Sequence, residues 1–439
     1  MEEIGGTGAT LHAKFALGLA TAAALLLVGH ALGHQRWRIR LDRISSTSIG
    51  VGAVVLATLT VLLVLVVGYG VLGVTPRGDA VSHYYPQAKA VLEGGIPYVD
   101  FPSSYGLLFP YLNAVILAIH DDPISIIVAT QTFHVLSLAA VVYYAVRIGK
   151  QPSPVVLGVV AVYLLHSAAI WYVGLTGSNQ SWVALLYAIT LIALSRNLNG
   201  AAGAMAFLPF ALVKAIALIG APSLFGYSRH RRAFAAGFAA LALLFLGMCV
   251  ALDVPPLGGL LNESDSFTSS NLPYFATLFG FDLLGLLRET QIAAFVVLAL
   301  AALWLGLRAP PDNVAAMAAG GSALLFTFML VSPKAFTVYV VMMQVPVSLW
   351  LGHHMAHHGV DTRLVVYALV MVCAGLDVSA WFTVMQMGPL SWVWTEVDSE
   401  RRAAMLGFLA MQATLVGGYA YLAVSAYRDF ERLRRCAAN

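Results

Sequence analysis

Apolar runs long enough to cross a hydrocarbon core of about 30 Å recur along almost the whole chain, separated by short polar or basic stretches. The first run follows the acidic residues Glu2 and Glu3 and precedes a basic cluster, Arg36, Arg38, Arg40 and Arg43. That order of charges is the reverse of a secretory signal and predicts a retained helix with its N-terminus outside. Later runs fall at about 48–74, 123–146, 153–174, 180–195, 232–252, 290–307, 313–331, 335–352, 363–381 and 402–427. With the first basic cluster in the cytoplasm, alternation of these runs carries Arg147, Lys150, Arg196, Arg308, Arg363 and the tail residues Arg428, Arg432, Arg434 and Arg435 to the same side.

Residues 200–226 interrupt the alternation, because Arg196 precedes them and Arg229, Arg231 and Arg232 follow. A broken helical hairpin that enters and leaves on one side resolves the conflict, with Pro209 and Lys214 near its middle. Irregular backbone at membrane depth is tolerated only where it is buried in protein or lines a wet cavity. Counting the hairpin twice gives about thirteen crossings. The expected fold is all-α: one polytopic transmembrane domain over 1–439, of about 11–13 helices. An extra N-terminal helix and basic loop occupy 1–47, and a basic cytoplasmic tail occupies 428–439. Three outer segments, 75–122, 253–289 and 382–401, are too long for simple turns. Within the first, 80–93 reads as a helix on the membrane surface.

Composition excludes a water-soluble globule: the 439 residues are 60% hydrophobic and 10% charged, with mean hydropathy +0.82. The net charge of +3 matters less than where the basic residues lie. Cys249, Cys373 and Cys436 are far apart and form no ligand-spaced pair, so neither a disulfide framework, a zinc site nor redox chemistry is predicted. Nothing in the chain points to a nucleic-acid partner.

The first outer segment gathers the candidate chemistry. Asp79 follows the second span by a few residues, which puts a carboxylate at headgroup depth. A base at that depth reaches an acceptor hydroxyl while a lipid-linked reactant stays embedded. Asp100 lies in the same segment with His83, Tyr84, Tyr85, Tyr98 and Tyr105. The alternative is that Asp79 caps the surface helix and Asp100 solvates a turn. Lys214 sits inside the apolar stretch FLPFALVKAIALIGAP, where an ammonium at a helix centre costs about 2.5–3.5 kcal/mol on insertion scales and calls for an anionic partner such as a phosphate. Snorkelling, or pairing with a buried Asp, is its structural alternative.

The turn GLTGSNQSW offers Asn179 and Gln180 beside flexible glycines, and the turn VSPKAFTVYV offers Lys334 and Tyr339. His353, His354, His357 and His358 have metal-like spacing but fall at the cytoplasmic end of a span, so no metal ligation is assigned to them. Asn262 fits a short N-glycosylation pattern.

Taken in order, these segments resemble the GT-C superfamily of polytopic membrane glycosyltransferases. The likeness rests on Gly78-Asp79, a surface helix, Gly95-Ile96-Pro97-Tyr98 with Asp100-Phe101, and Tyr105-Gly106. It extends to the family 87 mannosyltransferase-like branch through GSNQSW, the Lys-bearing broken segment and VSPKAFTVY, covering about 75–345. Departures are the order Gly-Ser-Asn-Gln, Ile216 in place of a proline, and Tyr339 where a His often stands.

The resemblance implies an enzyme of the plasma (inner) membrane that transfers a hexose, mannose in that branch, from a polyprenyl-phosphate carrier. The acceptor would be a glycolipid, lipoglycan or protein at the outer face. Asp79 would be the general base and Lys214 would hold the donor phosphate, with Lys334 and Arg77 as further candidates. No cofactor is required, although relatives that bind divalent ions leave a weak metal site at Asp79 and Asp100 open. The rival expectation is a secondary transporter or a lipid or polysaccharide flippase; against it stand the missing second copy of the broken hairpin and the gathering of acids in one outer loop.

Overall fold

Inside a bilayer each backbone N–H and C=O has to find a partner within its own segment, so long apolar runs fold as helices. The computed structural model describes residues 2–73, 75–259, 270–279, 281, 283–310, 313–332, 337–342, 344–376 and 399–438. Among the described residues the only β-type pairing is one isolated bridge between Pro97 and Phe101.

The α-helices in chain order are α1 (Glu2–Gly33), α2 (Gln35–Asp42), α3 (Ser46–Leu63), α4 (Tyr85–Leu92), α5 (Leu108–Ile119), α6 (Pro123–Tyr143), α7 (Ser153–Leu164), α8 (Gln180–Ser195) and α9 (Asn199–Leu212). They continue as α10 (Ala221–Tyr227), α11 (Arg231–Ala251), α12 (Leu272–Thr277), α13 (Leu283–Arg308), α14 (Val314–Val331), α15 (Gln344–His358), α16 (Thr362–Ala374) and α17 (Ser399–Ala438). Among the described residues six stretches are long and apolar enough to cross a membrane: Leu11–Gly33, Ser46–Val71, Pro123–Ile148, Arg231–Ala251, Val314–Val331 and Met405–Ala437. Shorter apolar helices, α7, α8 and α9 among them, pack between these. The protein is therefore an all-helical, multi-pass membrane protein.

Several elements depart from the hydropathy pattern. The run 153–174 is not one helix: α7 stops at Leu164, and a π-helical turn, Ala169–Val173, follows a cap in which His166 Nδ1 accepts from Ala169 N–H at 3.2 Å. Helix α13 begins at Leu283 rather than 290, because Arg288, Glu289 and Gln291 dilute the apolar signal of its first turns. Helix α15 begins at Gln344 rather than 335 and contains all four histidines. Helix α17 has 40 residues, about 60 Å at 1.5 Å per residue, so the basic tail is its continuation and not a loose end. Asp429 anchors it: its carboxylate is 4% exposed, accepts from Trp350 Nε1–H at 3.0 Å, and pairs with Arg363 and with Arg432. The expected surface helix 80–93 is a π-helical turn, Ala80–Tyr84, leading into α4. Helix α4 is tied to the end of α5 by Lys89 and Tyr85, which reach Asp121 at 2.7 and 3.0 Å.

Contacts sort the connections into two groups, one at each end of the bundle. At one end Ser153 donates to the Ile44 carbonyl, Gly33 packs on Gly359, and Arg308 pairs with Glu431 at 3.8 Å. At the other, Ala80 N–H donates to the Thr176 carbonyl at 3.3 Å and Asn271 to the Ser332 carbonyl at 2.7 Å. The first group carries most of the arginines and is called the basic end below.

The segment over 200–226 starts and finishes at the basic end, since Ser228 Oγ donates to Asn199 Oδ1 at 2.7 Å. Helix α9 leads away from that end and breaks at Val213 and Lys214, where Lys214 is extended (φ −158°, ψ 148°). A 3-10 helix, Ala215–Gly220, and α10 lead back. Helix α11 then runs parallel to α9, with Gly237 against Gly200 and Phe245 against Phe207 and Phe210. Lys214 therefore lies at the tip of a hairpin and not at the centre of a helix, and the helix-centre insertion cost does not apply to it. The middle of a segment that turns back is its far end in space.

Closure of this hairpin can be tested by crosslinking. In a background lacking Cys249, Cys373 and Cys436, the pair Asn199→Cys and Ser228→Cys should form a disulfide on mild oxidation, read as protection from alkylation. Two freely alkylated thiols would show that the limbs do not meet.

Candidate functional site

The site is built where the first outer segment meets two other connections. The residues before the π-helical turn press against the connection from α7 to α8. Gly78 (φ +81°) has no room for a side chain, since a Cβ would lie 2.4 Å from Thr176 Cβ; a Cβ at Gly177 (φ +69°) would lie 2.9 Å from Ala80 Cβ. Two positive-φ glycines thus let two loops touch backbone to backbone, which sets Asp79 beside Ser178.

Asp79 is half-buried and precedes the first turn of the surface helix without capping it, for its carboxylate accepts no backbone N–H there. Oδ2 instead accepts from Ser178 Oγ at 3.0 Å and from Tyr84 Oη at 3.3 Å. Tyr84 is 1% exposed and also accepts from Asn179 N–H at 3.3 Å. Burial, with the Asp79 charge beside it, pushes the Tyr84 phenol well up, so it remains a neutral donor to the carboxylate.

Tyr84 packs edge-to-face on Tyr105, with ring centroids 5.0 Å apart, and both contact Phe109. Tyr105 leads into Gly106, which lies directly on the hairpin tip: Gly106 N–H donates to the Val213 carbonyl at 3.0 Å, and a Cβ there would sit 2.3 Å from the Ala211 carbonyl oxygen. This contact puts the Lys214 ammonium 5.2 Å from the centre of the Tyr105 ring. Lys214 also donates to Tyr339 Oη at 3.0 Å and is 9% exposed. Burial raises the Tyr105 phenol as well, with Lys214 opposing and Asp79 reinforcing the shift. One ring thus feels both charges, the acid on one side and the ammonium on the other.

The remaining candidates separate. Gln180 is buried with its side-chain oxygen beside Ser178 Oγ, so the single Ser178 proton is shared between Gln180 and Asp79 as alternative acceptors, while the buried Asn179 side chain has neither amide atom hydrogen-bonded. An unsatisfied buried amide costs about 1–3 kcal/mol and marks a place where a ligand's polar groups would be welcome. Tyr98 (φ +70°) is structural: its hydroxyl donates to the Tyr105 carbonyl, and its ring fills the space above Gly258. Asp100 is exposed and accepts from Ile96 N–H at 2.7 Å, closing its own turn, so it shares no partner with Asp79. Arg77 and His83 are exposed and stand outside the Asp79 to Lys214 chain of contacts. Lys334 and Asn262, and nearly all of the third outer segment, lie outside the described residues.

Of the histidines, His354 pairs with Asp361 at 2.8 Å and His357 bonds the His353 carbonyl. Among the described residues no three His, Cys, Asp or Glu side chains are grouped to hold a metal ion.

Two further residues belong near the site. Ser178, rather than Gln180, touches Asp79. Lys14, 5% exposed in α1, has its ammonium 5.1 and 5.2 Å from the rings of Trp171 and Tyr172, on the same connection that carries Ser178. A lysine within an apolar span was the available signal for it.

The loop contact separates packing from backbone strain. Gly78→Ala should lower the thermal unfolding midpoint in detergent more than Gly94→Ala, because both sites have positive φ but only Gly78 is crowded; nothing lies within 4 Å of a Cβ at Gly94. The excess corresponds to about 1–3 kcal/mol of overpacking, and equal midpoints would mean that the two loops are not in contact. No family model, no curated protein and no solved structure matches this chain.

Proposed function

We propose that the protein is a membrane glycosyltransferase that moves one hexose, mannose by the family 87 likeness, from a polyprenyl-phosphate carrier to an acceptor at the outer face. The observation that carries the reading is the Asp79 carboxylate and the Lys214 ammonium standing at either end of the Tyr84–Tyr105 pair. A general base and a phosphate-binding cation separated by aromatic walls are what displacement at a sugar carbon needs.

In this reading the acceptor oxygen attacks the anomeric carbon from the face opposite the phosphate and gives its proton to Asp79. The C–O bond to phosphate breaks with its electron pair, and configuration inverts. Lys214 meets the charge on the departing polyprenyl phosphate, held in place by Tyr339. Ser178 and Tyr84 fix the orientation of the Asp79 carboxylate, and the Asn179 amide, with neither atom hydrogen-bonded, would bond sugar hydroxyls. The acceptor is a glycolipid, lipoglycan or protein. The basic end faces the cytoplasm in this reading, with about thirteen passages between it and the reacting face.

Transfer from polyprenyl-phosphate mannose by the purified protein is the test. Asp79→Asn should reduce turnover by about 10²–10⁴-fold while leaving expression and unfolding temperature unchanged. Lys214→Ala should weaken donor binding, measured directly with the polyprenyl-phosphate sugar. Normal turnover by Asp79→Asn would end the reading, and unchanged donor affinity in Lys214→Ala would return the lysine to a structural role.

A further inference from the structure

Arginines at the basic end fall into two kinds. Arg363 and Arg432 pair with Asp429, and Arg308 and Arg434 pair with Glu431. At the base of the hairpin four consecutive basic residues, Arg229, His230, Arg231 and Arg232, are exposed, and among the described residues His230, Arg231 and Arg232 have no carboxylate partner. Arg231 folds back to donate to the Gly226 carbonyl at 3.2 Å. These residues line a recess of about 960 Å³ between the end of α10, the start of α11 and the end of α13.

A separate apolar groove of about 390 Å³ lies on the same helices, one turn further from the basic end. Its walls are the returning limb of the hairpin (Leu218, Phe225), α11 (Phe234) and α13 (Phe295, Ala299, Leu303). Phe225 adjoins Gly226 and Phe234 adjoins Ala233, so the same helices form both cavities. From Phe295 to Leu303 the groove follows α13 for about 12 Å, close to half of a hydrocarbon core of about 30 Å.

We propose that the hairpin base binds one anionic glycerophospholipid from the leaflet at the basic end, with its phosphate on Arg231 and Arg232 and one acyl chain in the groove. Guanidinium groups match phosphate oxygens two at a time, and basic pockets between membrane helices suit such headgroups. The groove fits a chain that stops at mid-bilayer, which distinguishes a lipid of this leaflet from a longer chain entering at the opposite face. A chain lying there fills the space between α10 and α11 and so braces the limb that returns from Lys214. The site is independent of the sugar-transfer reading.

The test uses full-length protein in phosphatidylcholine vesicles containing phosphatidylglycerol, with retained lipid counted by native mass spectrometry after extraction. Wild type should retain phosphatidylglycerol. Arg231→Gln with Arg232→Gln should retain about tenfold less, as should Ala299→Trp, which plugs the groove and keeps every charge. The second variant carries the test if the first does not fold. Equal retention by wild type and Ala299→Trp would overturn the proposal. So would displacement of the lipid by inorganic phosphate alone, or a loss confined to polyprenyl phosphate, which would assign the groove to another ligand.

Discussion

A chain that turns round within a bilayer exposes backbone groups that lipid cannot satisfy, and each must find a partner in the protein. At the tip of the α9–α10 hairpin the Pro209 carbonyl accepts from both Val213 and Lys214, and Lys214 in turn accepts from Ala217. The Val213 carbonyl, left over, takes Gly106 N–H from the first outer segment. That single bond requires a residue without a side chain at 106. It also binds the most irregular point of the membrane domain to the loop carrying the acid.

The candidate site follows from it. With Gly106 seated on the hairpin, Tyr105 stands over Lys214, and Tyr84 stands between Tyr105 and Asp79. Neither charge touches the other, yet both are held by phenols whose burial keeps them protonated. Two opposite charges kept apart by aromatic rings, each with fixed hydrogen bonds, form a preorganised pair rather than a salt bridge. Close backbone approaches elsewhere, Gly158 on Gly352 and Gly200 on Gly237, let helices lock without large side chains between them and give the loops a firm base.

The basic end is itself built in two ways. Paired arginines hold α16 to α17 through Asp429 and α13 to α17 through Glu431, whereas Arg231 and Arg232 at the hairpin base are exposed. The hairpin runs from this end to its far tip, so whatever steadies its base bears on the position of Lys214.

The sequence by itself determined that this is a helical protein of the membrane, because apolar run length and the repeated return of arginines are local properties of the chain. It also marked Asp79 and Lys214, since a carboxylate just past a span and an ammonium inside an apolar stretch stand out in the local pattern of the chain. It left two roles open for each acid: Asp100 closes its own turn, while Asp79 caps nothing and is held by side chains. Only the tertiary structure decided that Ser178, 99 residues away, is the partner of Asp79, and that Gly106 on the hairpin tip sets Tyr105 over Lys214. Such pairings depend on which loops meet at an end of the bundle. That is settled by helix packing between distant segments, and no local pattern encodes it.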